Sequence, residues 1–342
     1  MDRSYNSEGD EDVTEREKIK FDRLTETFRR NFRITRLYAK YLEECPTVIT
    51  KEMIEVLTED GEISREAAIS ALLSQVFSLD FDNSEDRRII MDYLNPSIRL
   101  LDAKKYENDP YYKNIHLENL TNGNWEIRWE EYEPYQAVIC HDMIIENDFK
   151  EIPPLGFFPE GFRFPAILEN GNEWMTLTPV DLDTCEEAIA AAHGKVVTFG
   201  LGLGYYAYMA AQKNEVDSVT VVELSNDVIK LFQTHILPQI PNRHKIKIVN
   251  SDAFEYAEKV MPNENFDLAF VDTWRDAGDG APMYKKMKAL EKHSPNTKFL
   301  YWVEGFLRSR IRAEKMCDYI EAYENGLLKS NYSEIEESIR KI

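Results

Sequence analysis

The feature that most constrains the fold of this chain is the alternation of short apolar runs with helical patterns in its C-terminal half. Each apolar run has the length of a β-strand, and apolar residues recur every three to four positions in the segment after it. This alternation predicts right-handed crossovers and an α/β fold with a doubly wound, mainly parallel, Rossmann-like sheet. The predicted strands are 195–200, 217–223, 245–250, 265–272 and 297–303, and the predicted helices are 179–193, 204–213, 225–237, 252–260, 281–292 and 306–323.

The N-terminal part is expected to be helical behind a loose tail. Residues 1–13 are polar and acidic, which is typical of a disordered tail. Thr14 and Glu17 have the spacing of a capping box, so the helical N-terminal domain, residues 14–105, is predicted to begin there. Later helices are predicted at 50–58, at 64–78 with Ser64 as N-cap, and at 84–94 with Ser84 as N-cap.

The composition changes after Tyr106, where β-branched and aromatic residues become frequent. An Asn-Gly pair at 122–123 is a turn signal, and a second hairpin turn is predicted at 169–172. We therefore expect a small antiparallel β region over residues 106–178, which joins the helical domain to the Rossmann-like domain at residues 179–342.

The charge of the chain limits the partners it is expected to bind. It has 62 acidic and 41 basic residues and a formal net charge of −21, which repels an extended phosphate backbone. Nucleic acid is therefore not an expected partner, whereas a small molecule or a cationic or peptidic acceptor suits this field. The four cysteines lack the spacing of a zinc site or of a disulfide framework, so no metal is expected: Cys45, Cys140, Cys185 and Cys317.

Two further observations bear on location. No apolar run approaches the length of a membrane-spanning helix, and the acidic start differs from the basic and then apolar start of a signal peptide. We therefore predict a soluble cytoplasmic protein without membrane association, and a homo-oligomeric state is left open.

Glycines follow the first predicted strand at alternate positions. Gly200, Gly202 and Gly204 permit a tight turn and let a ligand approach backbone N–H groups at a helix N-terminus. The stretch 202–207 also fits the G-x-G-x-x-A fingerprint of nicotinamide dinucleotide sites. The glycines alone therefore leave two classes of ligand open.

Acidic residues follow the next three strands, at the edge of the sheet where ligands of such folds bind. Glu223 ends the second strand and has the position of a carboxylate that accepts ribose hydroxyls. Asp252, followed by Ala253, is either a helix N-cap or the acceptor of an adenine amino group. Asp272 ends a buried strand, where an unused carboxylate would be costly, and is therefore a candidate for chemistry.

This order of residues, from about Pro179 to Gly305, resembles the class I S-adenosylmethionine-dependent methyltransferases. The segments VVELSNDVIKLFQTHILPQ, NSDAFEYAEK and FDLAFVDTW are most similar to the spermidine synthase branch. That branch also tolerates a non-acidic residue ahead of its glycines, as Thr198 is here. The resemblance implies S-adenosylmethionine as the cofactor. It also implies roles for the residues already named: the glycine loop at the methionine end, Glu223 on ribose, Asp252 with Ala253 at adenine, and Asp272 orienting the attacking amine or hydroxyl.

The chain also departs from that family. No copy of the polyamine-binding residues precedes the glycines, and Asp-Thr-Trp-Arg at 272–275 replaces the Asn-Pro-Pro-Tyr of amino-targeting methyltransferases. Only about 40 helical residues follow the fifth strand. The sixth and seventh strands of the family are therefore either missing or supplied from elsewhere, for instance by the β region upstream.

Four more residues are candidates for the site. Trp174 and Met175 either close over the sulfonium, which an aromatic face attracts, or plug the core between the β region and the sheet. Trp274 and Glu304 follow the fourth and fifth strands and are candidate walls of the acceptor site.

The sequence favours an enzyme, a methyltransferase that acts on an amine or hydroxyl of a small molecule or protein. An aminopropyltransferase that uses decarboxylated S-adenosylmethionine is the first alternative. A non-catalytic protein of cofactor binding or assembly is the second. A nicotinamide dinucleotide enzyme is less favoured, because it gives Asp252 and Asp272 no role.

Overall fold

The computed structural model describes the backbone of residues 7–342 and the side chains of residues 15–342 except Asn122, so residues 1–6 of the predicted tail lie outside it. Helices occupy the first part of the chain and pack around an apolar core that includes Ile34 and Leu73. They are α1 (Ser7–Glu44), α2 (Lys51–Thr58), α3 (Arg65–Val76), α4 (Ser84–Arg88), which continues as a π-helical turn at Ile89–Leu94, and α5 (Asn95–Ser97).

The starts of the first and third helices test two predicted caps. Ser64 is the N-cap of α3, as predicted, because its side chain accepts the N–H of Ala67 at 3.2 Å. The predicted start of α1 at Thr14 is wrong, since the helix begins at Ser7 and residues 7–13 are helical.

The start of α4 also differs from the prediction. The N-cap is Asn83 and not Ser84, because the Asn83 side chain accepts the N–H groups of Glu85 and Asp86 at 2.9 and 3.2 Å. Asn and Ser are about equally good N-caps, so two adjacent candidates could not be separated by residue type.

The middle of the chain contains short strands in three small sheets. Strands β2, β3, β8 and β9 form an antiparallel sheet in that order, with hairpin turns at 123–124 and 170–171. Strands β1, β7 and β4 form a second sheet, and β5 and β6 form a third. The elements are β1 (Ile98–Leu100), α6 (Ala103–Glu107), α7 (Pro110–Asn114), β2 (Leu120–Asn122), β3 (Trp125–Tyr132), β4 (Ala137–Ile139), β5 (Ile144–Ile145), β6 (Glu151–Ile152), β7 (Leu155–Phe157), β8 (Phe162–Glu169) and β9 (Asn172–Thr176).

Both predicted hairpins are present, but the region is not wholly antiparallel. Strand β1 pairs in parallel with β7, and it lies before Tyr106, where the β region was predicted to begin. Three residues are too few to show a strand period, which is why β1 was not predicted.

The C-terminal half contains the predicted Rossmann-like sheet. Its five strands are all parallel and lie in the order β12-β11-β10-β13-β14, so the order reverses between β10 and β13. The elements are α8 (Pro179–Ala191), β10 (Gly194–Phe199), α9 (Tyr205–Gln212), β11 (Val216–Glu223), α10 (Asn226–Leu231), continued by a π-helical turn at Phe232–Ile236, β12 (Ile246–Asn250), α11 (Ala253–Lys259), β13 (Leu268–Val271), α12 (Ala277–Leu290), β14 (Lys298–Tyr301), α13 (Glu304–Glu324) and α14 (Tyr332–Arg340).

Alternate residues of the central strand pack on opposite faces of the sheet. In β10, Val196 packs with α8 and α9, whereas Val197 and Phe199 pack with α11, α12 and α13. Helices therefore cover both faces, which explains the nearly continuous apolar runs of these strands.

The sheet ends at β14. Within residues 7–342, only helices α13 and α14 follow this strand, and the strands of the middle region pair among themselves. The structure therefore has no sixth or seventh strand in this sheet, and the upstream β region does not supply them. In the same part of the chain, no helix combines the length and apolar character needed to cross a bilayer.

A buried polar junction connects the first and last parts of the chain. Glu151 of β6 and Arg312 of α13 form an ion pair of 3.2 Å, and each side chain is only 3% exposed. Ser309 donates to the same carboxylate at 2.6 Å, and the side chain of Asn31 in α1 accepts the Glu151 N–H at 3.2 Å. Helix α1 thus holds the backbone of Glu151 and α13 holds its carboxylate, whose pKa is raised by burial.

Candidate functional site

The candidate site lies where β10 and β13 end side by side, at the reversal of strand order. In open parallel sheets, ligands bind in the crevice at this point. Gly200 follows β10 and Asp272 follows β13. A Cβ atom on Gly200 would lie 1.9 Å from the backbone oxygen of Asp272, and the φ of Gly200 is +99°. Only glycine allows these two strand ends to approach so closely.

The other two glycines of the loop, residues 200–204, meet different neighbours. Gly204, with φ +75°, is the N-cap of α9, and a Cβ there would lie 2.1 Å from the ring of Phe232. Gly202, with φ +49°, faces the side chain of Met175, whose sulfur would lie 1.6 Å from an added Cβ. Packing within the protein therefore accounts for all three glycines.

Glu223 lies beside this loop at the end of β11. Its Oε2 accepts the N–H of Leu201 at 3.0 Å, and its Oε1 accepts the N–H of Ser225 at 2.7 Å. Burial raises the pKa of this carboxyl, and the backbone donors partly oppose the increase. The structure thus places a carboxylate against the glycine loop, at the position predicted for a ribose ligand.

Asp252 is the N-cap of α11, and its side chain accepts the N–H of Glu255 at 2.9 Å. Ala253 begins this helix and is buried. The capping role, one of the two alternatives for Asp252, is therefore present in the structure.

Asp272 faces a small cavity that the glycine loop helps to line, together with Asp181 and Thr198. Within residues 7–342, the Asp272 side chain forms no hydrogen bond and no ion pair. Burial raises its pKa well above the ordinary value, and the negative charges of Asp181 and Glu223 raise it further. Asp272 is half-buried, and a carboxylate withdrawn from water without a partner is costly, which marks the position as a candidate for chemistry.

Asp181 was not among the predicted site residues. Its Oδ2 accepts the backbone N–H and the hydroxyl of Thr178, both at 2.8 Å, and the hydroxyl of Thr176 at 3.3 Å. Burial raises the pKa of Asp181 to about 6. The spacing Thr178-x-x-Asp181 is a capping box, and this signal could have located the residue at the start of α8.

The cavity beside Asp272 is only about 20 Å³ in volume. Such a volume holds about one water molecule, whereas ligand pockets measure roughly 300–1,000 Å³. The side chains of Met175, Tyr205, Tyr206 and Trp302 occupy its walls. Trp302 was also not predicted as a site residue. It comes directly after β14, as Asp272 comes directly after β13, so its position at a strand end was a signal for it. The crevice is closed by side chains in this conformation.

Trp174 and Met175 lie apart from each other. Met175 covers the glycine loop, and its sulfur accepts the Leu203 N–H at 3.1 Å. Trp174 is 41% exposed and packs edge-on against Trp125, with a ring-centroid distance of 5.7 Å. The guanidinium of Arg275 lies 5.5 Å from the Trp174 ring. Of this predicted pair, only Met175 lines the cavity.

The two predicted acceptor walls lie outside the cavity. Trp274 is buried on the other face of the sheet and stacks on Tyr301, with ring centroids 6.4 Å apart. Glu304 accepts the hydroxyl of Tyr284 at 2.6 Å and lines a separate cavity of about 450 Å³ beside β14. The structure therefore does not bring Trp274 or Glu304 together with Asp272 in one cavity.

No protein-family model matches this chain, and no curated protein matches it. It is similar in part to solved structures. A spermidine synthase from Thermotoga maritima is 17% identical with a TM-score of 0.31, over 44% of this chain and 58% of that one. A spermidine synthase in complex with the transition-state analogue AdoDATO is 18% identical with a TM-score of 0.33, over 44% and 60%.

Precorrin 8W decarboxylase from Methanobacterium thermoautotrophicum is 17% identical with a TM-score of 0.27, over 36% of this chain and 62% of that one. This chain therefore covers less than two thirds of the length of each of these structures. The likenesses are partial and assign no activity.

Proposed function

We propose that this chain binds S-adenosylmethionine in the crevice between β10 and β13 and is a methyltransferase that acts on an amine or hydroxyl acceptor. The observation that carries the proposal is the contact between Glu223 and the glycine loop. A carboxylate held by the Leu201 N–H stands at the end of the strand next to the crevice. That is where a sheet of this order presents an acidic residue to a ribose.

The residues of the crevice fit this cofactor in chemistry and in order along the chain. Glu223 would accept the ribose hydroxyls, Asp252 with Ala253 would lie at the adenine, and the loop amides would face the methionine end. When bound, the cofactor supplies an electrophilic methyl group on a cationic sulfur. The fit requires Met175 to leave the glycine loop, which its flexible side chain permits.

Asp272 is the residue proposed to act on the acceptor. A general base must hold a proton more tightly than an ordinary carboxylate does at neutral pH, and both burial and the charges of Asp181 and Glu223 raise the pKa of Asp272. Asp272 would accept a hydrogen bond from the acceptor and take its proton. The rest of the contribution is orientation and exclusion of water, since methyl transfer depends chiefly on the alignment of the two reactants.

One observation favours a second candidate, a non-catalytic protein of the same fold. The cavity of about 20 Å³ and the packing of Met175 on Gly202 are also what a sheet without a ligand would show. Binding experiments separate the two candidates.

The test is calorimetric titration with S-adenosylmethionine, S-adenosylhomocysteine and decarboxylated S-adenosylmethionine. We expect Glu223→Gln to weaken binding of S-adenosylhomocysteine by about 10- to 100-fold, because hydrogen bonds to a charged group are lost. Glu215→Gln is the matched control, since Glu215 is exposed just before the opposite end of the same strand, and it should bind like the wild type.

The outcomes differ for each candidate. No binding of any of the three nucleosides to the wild type contradicts the proposal and favours the non-catalytic protein. Clearly tighter binding of the decarboxylated nucleoside favours aminopropyl transfer. Unchanged binding by Glu223→Gln means that Glu223 is not the ribose ligand.

A further inference from the structure

Strand β9, which carries Met175, is the edge strand of its sheet and pairs on one side only, with β8. The pairing contains a bulge: Glu173 lies opposite Leu168 and Met175 lies opposite Ile167, so Trp174 has no partner across the ladder. Bulges re-aim side chains and are frequent next to functional sites. Here Met175 and Trp174 both reach contacts outside their own sheet, although Trp174 also packs on Trp125 of β3 within it.

The side chain of Met175 covers the glycine loop. The Met175 sulfur lies in the space in front of Gly202 and accepts the N–H of Leu203. Backbone N–H groups of such a loop are the donors that a ligand at this crevice would use. Met175 therefore engages an N–H donor and fills a volume that the ligand needs. The ligand and the Met175 side chain cannot both be at this place.

The second side chain fastens the strand to the opposite wall. The Arg275 guanidinium lies 5.5 Å from the centre of the Trp174 ring, a cation–π distance. Arg275 belongs to the segment that follows Asp272, and its side chain is 57% exposed. The contact thus bridges the crevice from the middle region to the loop that carries the candidate base.

The two ends of the strand are held differently. Before β9, the turn residues Asn170 and Gly171 have φ values of +53° and +78°, and both residues are exposed to solvent. At the other end, the hydroxyl of Thr176, the last residue of β9, and the backbone N–H of Thr178 donate to Asp181. The exposed end is held by backbone contacts, since Asn172 pairs with Glu169 of β8 and the Asn170 N–H donates to the Asn124 carbonyl at 2.7 Å. The strand backbone is therefore held at both ends, and movement at the crevice falls to the side chains that β9 presents to it.

We propose that residues 172–176 form a lid that closes the crevice by placing Met175 on the glycine loop and Trp174 against Arg275. This inference rests on the proposed function, because the ligand that displaces Met175 is an S-adenosyl nucleoside. Opening withdraws Met175 from the loop and releases Arg275. The same movement therefore exposes the nucleoside site, while the segment that carries Asp272 stays in place because the Arg275 N–H donates to Asp279 at 3.2 Å.

The test compares Met175→Ala with Met283→Ala. Met283 on α12 is also half-buried against a core cluster but lies away from the crevice, so it controls for lost packing. Two quantities are measured: deuterium exchange of the amides of residues 201–204 without ligand, and the calorimetric Kd of S-adenosylhomocysteine. A further variant, Arg275→Ala, removes the contact between Arg275 and Trp174 at an exposed position. It replaces Met175→Ala in the test if that variant does not fold.

We expect Met175→Ala to bind the nucleoside about tenfold more tightly than the wild type, because a half-buried methionine no longer has to be withdrawn from its packing. Its loop amides should exchange faster, since the Leu203 N–H loses its acceptor. Arg275→Ala should bind about threefold more tightly. Met283→Ala should match the wild type in both measurements.

Unchanged amide exchange in Met175→Ala, or equal or weaker nucleoside binding by that variant while Met283→Ala matches the wild type, overturns the lid. If the loop amides of Met175→Ala exchange faster but neither the wild type nor any variant binds a nucleoside, the proposed function is rejected instead. The role of the lid in admitting a nucleoside is then rejected with it.

Discussion

Asp272→Asn should make the protein more stable at neutral pH. The wild-type carboxylate is half-buried, has no hydrogen bond or ion pair among the side chains described from residue 15 onwards, and faces the negative charges of Asp181 and Glu223. Asparagine has the same shape without the charge. Because an unpaired buried ion costs several kcal/mol, and the small cavity beside Asp272 reduces this cost, we expect a gain of about 2 kcal/mol in the free energy of unfolding.

The pH dependence follows from the direction of the shift. Burial raises the pKa of Asp272 in the folded state, so the folded protein keeps this proton to a higher pH than the unfolded chain does. The wild type therefore loses stability as the pH rises from the unfolded pKa, about 4, to the raised folded pKa. The advantage of the asparagine variant should be absent near pH 4 and complete above the folded pKa.

Urea unfolding at several pH values measures this difference. With an m-value of about 4 kcal/mol/M for a chain of this size, 2 kcal/mol moves the midpoint by about 0.5 M. Asp217→Asn is the control, because Asp217 is an exposed aspartate on β11, and it should change stability by less than about 0.5 kcal/mol. Equal or lower stability of Asp272→Asn at neutral pH, or an advantage that persists at pH 4, would refute the reasoning.

Two further predictions concern buried positions. Gly204→Ala should lower the free energy of unfolding by about 3 kcal/mol, because its φ is +75° and the new Cβ would lie 2.1 Å from the Phe232 ring; a thermal-denaturation midpoint equal to that of the wild type would contradict this. Arg312→Met should cost about 3–5 kcal/mol by leaving the Glu151 carboxylate buried without its cation. The double variant with Glu151→Gln should recover most of that loss in urea unfolding, and a double variant as unstable as the single one would contradict the account.

Local patterns were sufficient to predict the parallel sheet and the residues at its strand ends. The periods of apolar residues located all five strands. Glu223 is the last residue of its strand, and Gly200 and Asp272 come directly after theirs. These signals lie within a few residues of the elements they describe. Helix starts were less certain, because neighbouring residues such as Asn83 and Ser84 compete for the same cap.

Contacts between distant segments could not be predicted in this way. Met175 meets the glycine loop across 28 positions of sequence, and only the pairing of β9 with β8 determines which side chain lies there. The same limit applies to Trp274, which follows its strand as Asp272 does but points to the opposite face of the sheet. The position of a residue at a strand end therefore predicts at which edge of the sheet its side chain lies. On which face of the sheet the side chain packs is determined by tertiary contacts.

The ion pair between Glu151 and Arg312 has a consequence for synthesis on the ribosome. A growing chain exposes its N-terminal segments first, and early segments generally fold before later ones. Glu151 is made 161 residues before its cation, as the difference between 312 and 151 gives. The helices around Asn31 therefore cannot bury this carboxylate at low cost until α13 has emerged. Final assembly of the N-terminal part must therefore wait until α13 has been made, and a nascent chain that stops short of α13 leaves this junction open, where chaperones and proteases can act on it.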